Sequence, residues 1–153
     1  MMLTLHATTH SISLLPGESY FGCDDEQVET LLGSCVALVL WSELDQAGGM
    51  SHVVLPERGL RSIQHGSGYF ATEALEWQLA QAQQMGLQPC RFEARIIGGG
   101  CMLSSDVNNS FNVGARNIIK VRSCSHNTRY PSLMKMWVVI SAATSISHWL
   151  MVH

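Results

Sequence analysis

Two short segments carry the side chains best equipped for chemistry. The first is LLGSCV, residues 31–36, where Cys35 follows Gly-Ser at the mouth of an apolar run. The second is GGMSHVVLP, residues 48–56, which places His52 near the start of a strand-like stretch. A cysteine so placed can expose its sulfur, the glycine lets another backbone come close, and neighbouring N–H groups can face a carbonyl oxygen. The plain alternative is a small buried thiol, since free cysteine is among the most buried residue types. A lone strand histidine is likewise more often structural than chemical. The two together carry more weight. Consecutive antiparallel strands put opposed residues about 5 Å apart. A Cys–His pair at that separation is the minimum equipment for nucleophilic acyl chemistry, in which the imidazole takes the thiol proton and the thiolate attacks. A third group should orient the imidazole. The hydroxyls of Thr30 and Ser34 flank Cys35, and Glu29 is within reach along the same segment.

The elements that must hold these residues are legible from hydrophobic pattern. Residues 11–15 read as a short strand stopped by Pro16-Gly17. Residues 28–41 read as strand, kink at Gly33-Ser34, then a buried strand. Residues 45–49 read as a turn, and 50–55 as a strand ended by Pro56. Residues 57–68 are polar and read as a loop. Residues 69–85 give the clearest helix, with Leu75, Leu79 and Ala82 on the apolar side, Gln78, Gln81 and Gln84 at polar positions, and Gly86 closing it. Residues 92–97 form a strand running into Gly98-Gly99-Gly100, and 113–121 a second helix. Interleaved strands and helices give an α/β or α+β class.

Composition narrows the function. At 153 residues, 46% hydrophobic and 14% charged, the chain can bury a core and is not a disordered or supercharged sequence. A net charge of −3 leaves no general nucleic-acid footprint. Five cysteines without a CxxC fit neither a disulfide framework nor a zinc knuckle, and His6, His10, His65, His126, His148 and His153 show no pairwise spacing suited to a metal. The glycine run lacks the lysine of a phosphate loop. The N-terminus has no signal-peptide pattern, and residues 136–152 are short and interrupted by Ser141, Thr144, Ser145, Ser147 and His148 for a membrane span. The expected location is cytoplasmic, with no metal or organic cofactor and no direct membrane insertion.

LLGSCVALVLW, then GGMSHVVLP, then a helix followed by EARIIGGGCML and NVGARNI, closely resembles the chemoreceptor glutamine deamidase family, CheD, over residues 10–122. The resemblance implies a mixed β-sheet architecture in layers flanked by helices, like the catalytic domain of glutamine-deamidating toxins. It implies a protein-glutamine glutaminase that converts glutamine side chains of methyl-accepting chemotaxis receptors to glutamate and ammonia. The family nucleophile falls on Cys35, its histidine on His52, and its threonine on Thr30, where the spacing to the cysteine varies by one residue within the family. Some members bind a chemotaxis phosphatase, and a catalytically impaired adaptor of receptors or of that phosphatase is the alternative reading.

The charge distribution marks where the resemblance ends. Residues 1–106 hold all 12 acidic residues against four arginines, a net of −8, while residues 107–153 hold five bases and no acid. After about Ser123 the family continues with an acidic, glycine-containing segment that is missing here. Back-translating Met134-Lys135-Met136-Trp137-Val138 from the third base of each codon forces Glu, then Asp or Asn, then Val, then Gly. Permissible codons extend this to Asp-Glu-Asp-Val-Gly-Gly-Asp-Phe-Ser-Arg-His, the missing segment. The expectation is a deamidase domain over 1–123 and an atypical tail over 124–153, entered by a one-base frameshift and lacking the family's final strands.

Overall fold

Along the chain the elements are β1 (Ser11–Leu14), β2 (Ser19–Gly22), β3 (Gln27–Leu32), β4 (Val36–Ser42), β5 (Ala47–Val53), α1 (Ala71–Gln84), β6 (Glu93–Gly99), α2 (Val113–Asn127), β7 (Lys135–Ser141) and β8 (Thr144–Ile146). They come from a computed structural model that describes residues 11–23, 26–59, 66–100, 113–127, 135–141 and 144–146. His6, His10, His65, His148, His153 and Cys101 lie outside these residues, as do the side chains of Cys124 and His126.

The apolar run ending at Trp41 becomes β4, and its alternate residues serve two cores. A strand points successive side chains to opposite faces. Val36, Leu38 and Leu40 pack with Val53 and Ile96 against Ala71, Leu75 and Leu79 of α1 and Val121 of α2. Ala37 and Val39 pack with Met50 and Ile97 against Leu14, Val28 and Leu32 of a second sheet. The result is three layers: helices, a five-stranded sheet of order β2-β5-β4-β6-β7, and a three-stranded sheet of order β1-β3-β8. This is the expected α+β architecture of sheet layers flanked by helices. The kink at Gly33-Ser34 is larger than a bend in one strand. It carries the chain from β3 in one sheet to β4 in the other.

Three local readings are corrected. Gly48 and Gly49 belong to β5 rather than to the hairpin turn, which lies at 43–46 and includes Gln46 in the left-handed region. A Cβ at Gly48 would sit 2.4 Å from the Leu40 carbonyl oxygen, and one at Gly49 2.5 Å from that of Tyr20, so the glycines serve close strand packing. His52 is accordingly near the end of its strand, not the start. Gln78 is fully buried on the helix face toward the sheet, where its Nε2 donates to the Leu38 carbonyl at 3.0 Å and the Ser51 hydroxyl at 2.8 Å. The third correction concerns the C-terminal part. β7 lies parallel to β6 over all of Glu93–Gly99, and β8 lies antiparallel to Thr30, Leu31 and Leu32, so both sheets gain a strand there. An uncharged, β-branched run such as MWVVI is suited to extending an open sheet edge.

Candidate active site

Thr30 lies on β3 between Glu29 and Leu31, and the strand's alternation decides which of them can reach the interior. Val28, Thr30 and Leu32 are buried, whereas Glu29 is half-buried on the opposite side and Leu31 is exposed. Glu29 is therefore removed as an orienting group, and Ser34 is exposed in the turn. Thr30 pairs in register with Leu14 of the parallel strand β1. Its hydroxyl donates to the Leu14 carbonyl at 2.8 Å and lies 2.7 Å from Nδ1 of His52. A hydroxyl has one proton. With that proton on the Leu14 carbonyl, Thr30 accepts from His52, so Nδ1 carries the imidazole hydrogen and Nε2 is the basic nitrogen.

The histidine lies on β5, inside the five-stranded sheet, and its side chain reaches across to Thr30 of the second sheet. His52 is paired with Ala37 on β4 and is 3% exposed. Its backbone is fixed on the other side as well. The Gly17 N–H donates to the His52 carbonyl and the His52 N–H donates to the Glu18 carbonyl, both at 2.9 Å. Beyond the strand, Asn117 of α2 donates to the Val54 carbonyl at 3.0 Å. Arg58 then makes a two-point ion pair with Glu73 of α1 at 2.7 and 2.9 Å. The histidine strand is thus pinned along its length.

Cys35 stands one residue before β4 and packs, half-buried, against the core that includes Ala37 and Val39. It shares the face of Ala37, and hence of His52, but the residue directly opposite His52 is Ala37. The cysteine occupies the diagonal position, a spacing of about 7–8 Å between Cα atoms in a regular ladder. Its backbone is anchored by the glycine run, since the Gly99 N–H donates to the Cys35 carbonyl at 2.9 Å. Gly98 has φ +103°, and a Cβ there would come within 2.8 Å of that same carbonyl. The glycines therefore allow close backbone approach to the thiol-bearing turn. Cys23 is exposed and Cys90 partly so.

Burial disfavours the charged form of both candidate groups. Burial pushes the Cys35 thiol pKa up. Burial pushes the His52 pKa down, and the Leu14 carbonyl opposes that shift by favouring a protonated ring. Removing charged forms from water is costly, which is the physical cause of both shifts. A neutral pair suits an imidazole that takes the thiol proton as the nucleophile attacks. Sequence reasoning missed the Leu14 carbonyl, which no side-chain pattern could reveal.

Residues 54–136 match the family described as CheD chemotactic sensory transduction. The match begins two residues after His52, so the three candidate residues precede it. The probable chemoreceptor glutamine deamidase CheD 3 of Dechloromonas aromatica is 36% identical over 109 residues, or 71% of this chain and 64% of that protein. The probable chemoreceptor glutamine deamidase CheD 2 of Albidiferax ferrireducens is 36% identical over 108 residues, 69% of this chain and 62% of that protein. The probable chemoreceptor glutamine deamidase CheD 1 of Chromobacterium violaceum is 37% identical over 113 residues, 73% and 58% respectively. The chain thus spans less than two thirds of the length of each of these relatives.

Proposed function

Because the chain belongs to the CheD family, we propose that it is a chemoreceptor glutamine deamidase with Cys35 as nucleophile, His52 as acid–base and Thr30 as the group that orients the imidazole. The observation that carries this reading is the hydrogen-bonded Leu14–Thr30–His52 chain on the face that Cys35 shares. Cys35 Sγ attacks the glutamine carboxamide carbon, and its proton passes to Nε2 of His52. A C–S bond forms and the carbonyl π-pair moves to oxygen, where backbone N–H groups near Ser34 and Cys35 receive the charge. His52 returns the proton to the departing nitrogen, the C–N bond breaks, and ammonia leaves a thioester. Water, deprotonated by His52, then attacks the thioester carbon, the C–S bond breaks, and His52 returns the proton to the departing Cys35 sulfur, leaving the glutamate carboxyl group and the resting pair. Every proton is accounted for by one imidazole, so the scheme calls on no metal or organic cofactor.

The substrates are glutamines on the cytoplasmic helices of methyl-accepting chemotaxis receptors, which places the protein in the cytoplasm. Among the described residues no helix is long and apolar enough to cross a membrane. The test is ammonia release and a Gln-to-Glu mass shift on purified receptor cytoplasmic fragments, with Cys35→Ala as the control. Turnover that survives Cys35→Ala overturns the mechanism. Binding of fragments without ammonia release favours the alternative of a receptor or phosphatase adaptor.

The same reading divides the chain at residue 123, with the deamidase domain before it and a segment translated after a one-base shift behind it. The support is that a shifted reading of codons 134–138 is forced to match the family's acidic segment and that permissible codons extend the match over 133–144, together with the absence of any acid after Asp106. Sequencing the gene across codons 122–133 tests it, and a locus with no such shifted reading overturns it.

A further inference from the structure

Glu18 takes no part in the proposed mechanism, yet it makes hydrogen bonds from three groups. Its N–H donates to the Leu15 carbonyl at 3.0 Å, closing the turn between β1 and β2. Its carbonyl accepts the His52 N–H at 2.9 Å. Its carboxylate Oε2 accepts the Leu15 N–H at 2.8 Å. The last bond reaches the site. The Leu15 N–H and the Leu14 carbonyl belong to one peptide unit, which is planar, so turning one end turns the other. The carbonyl end of that unit accepts the Thr30 hydroxyl at 2.8 Å, and the Thr30 oxygen lies 2.7 Å from Nδ1 of His52. A chain of hydrogen bonds thus runs from an exposed carboxylate through the Leu14–Leu15 peptide and Thr30 to a buried imidazole.

The chain bears on which nitrogen of His52 is basic. The Thr30 hydroxyl has one proton and two acceptors within reach, the Leu14 carbonyl and Nδ1. While the proton goes to the carbonyl, Nδ1 carries the ring hydrogen and Nε2 is free to take the thiol proton. With the proton directed to Nδ1 instead, the ring hydrogen sits on Nε2 and the imidazole cannot act as that base. A carboxylate on the N–H end of the peptide fixes where the carbonyl end points. It also makes that carbonyl a better acceptor, since hydrogen bonds in series polarise one another. We propose that Glu18 is a positioning residue: through the Leu14–Leu15 peptide it holds the Thr30 proton on the Leu14 carbonyl and keeps His52 in the tautomer with a basic Nε2. The kinetic consequence rests on the deamidase reading, whereas the tautomer is a property of the resting protein. The backbone bonds of Glu18 do not need its side chain, so the carboxylate can be replaced with the turn in place.

Two substitutions test it. Glu18→Met keeps the stem and removes the acceptor, while Glu18→Gln keeps an acceptor oxygen without the charge. Nitrogen-15 NMR of histidine-labelled protein at about pH 8, where a neutral ring is favoured, reads the tautomer. The His52 signals are assigned by their loss in His52→Gln. Ammonia release from receptor cytoplasmic fragments reads kcat and KM. The unsubstituted chain is expected to carry its hydrogen on Nδ1. Glu18→Met is expected to admix the Nε2–H form and to lower kcat about two- to tenfold with KM little changed, the scale of one hydrogen bond. Glu18→Gln is expected to recover most of both. In a Thr30→Val background, where the chain is already cut, Glu18→Met is expected to cost nothing further. Denaturant melts verify folding, and Glu18→Ala stands in should Glu18→Met not fold. An Nε2–H tautomer in the unsubstituted chain, a tautomer and kcat indifferent to Glu18→Met, or an equal loss with and without the Thr30 hydroxyl overturns the proposal. With no ammonia released by the unsubstituted chain, the deamidase reading falls, and the response of the tautomer to Glu18→Met alone decides the proposal.

Discussion

The five-stranded sheet has two faces built from the same strands, and they have different characters. The helix face is closed by large apolar side chains: Leu38, Leu40, Ile96 and Phe92 meet Leu75 and Leu79, all essentially removed from water. Buried polar groups there are held by hydrogen bonds: Gln78 by the Leu38 carbonyl and the Ser51 hydroxyl, and Asn117 of α2 by the Val54 carbonyl. The other face carries Ala37, Val39, Met50 and Ile97 and admits His52 and Cys35 where it meets the second sheet, which brings Thr30. Ala37, directly opposite His52, is small beside the imidazole, and the second sheet supplies the ring's partner. In the proposed mechanism the helix face supplies stability and the sheet–sheet face supplies the chemistry.

The strongest way to break this division is to remove the sulfur. Cys35→Ala should take ammonia release to background while shifting stability by less than about 1 kcal/mol, the scale of a small change at a partly exposed site. A large loss of stability would place Cys35 in the core instead. His52→Ala should lower kcat by about 10²- to 10⁴-fold, the usual range for a general acid–base. Iodoacetamide labelling of Cys35 should slow in the same variant, and an unchanged labelling rate would separate the two residues.

Leu38→Ala probes the opposite face. It should cost about 2–5 kcal/mol of stability, as large-to-small changes do in a closed core. Activity per folded molecule should persist, as read by denaturant melts beside ammonia release under native conditions. Thr30→Val is milder. It removes the acceptor of the His52 Nδ1 hydrogen, a buried loss of about 1–3 kcal/mol, read as lower kcat. Thr30→Ser, which keeps the hydroxyl, should recover most of it.

The smallest effect is electrostatic. The folded His52 pKa lies below the ordinary histidine value of 6.5. The unfolded chain therefore binds a proton at His52 that the folded chain refuses, so stability falls as pH drops through about 6.5 toward the lower folded value. His52→Gln should remove that part of the pH dependence in denaturant melts. A variant that keeps the same slope would show that other groups set it.

The two faces also differ in how far the sequence foretold them. The helix face follows from periodicity: Leu75, Leu79 and Ala82 on α1, and the alternating β4, are local signals that survive folding unchanged. The residue types of the site were legible too, because Cys35 after Gly-Ser and His52 after Met-Ser are local. Their geometry was not. That β3 and β4 part into different sheets depends on long-range pairing, and so does the diagonal rather than opposed placement of Cys35 and His52. Glu29 and Thr30 are neighbours in sequence, and only the register with Leu14 turns one outward and the other toward His52. Gln78 reads as a surface residue because its composition is polar, whereas its burial is set by the Leu38 carbonyl and Ser51 hydroxyl across the helix–sheet interface. The strands at Lys135–Ser141 and Thr144–Ile146 lie where the end of the family resemblance and the shifted codon reading suggested a stretch outside the sheets.

The central claim is that the sheet–sheet face makes a covalent bond through one particular sulfur. Acid quenching during turnover of a receptor fragment, followed by proteolysis and mass spectrometry, reads that bond directly. The account predicts a substrate thioester on the peptide containing Cys35, accumulating in proportion to the enzyme and absent from those containing Cys23 and Cys90. Steady ammonia release with no adduct at Cys35, or with the adduct on another cysteine, would contradict it.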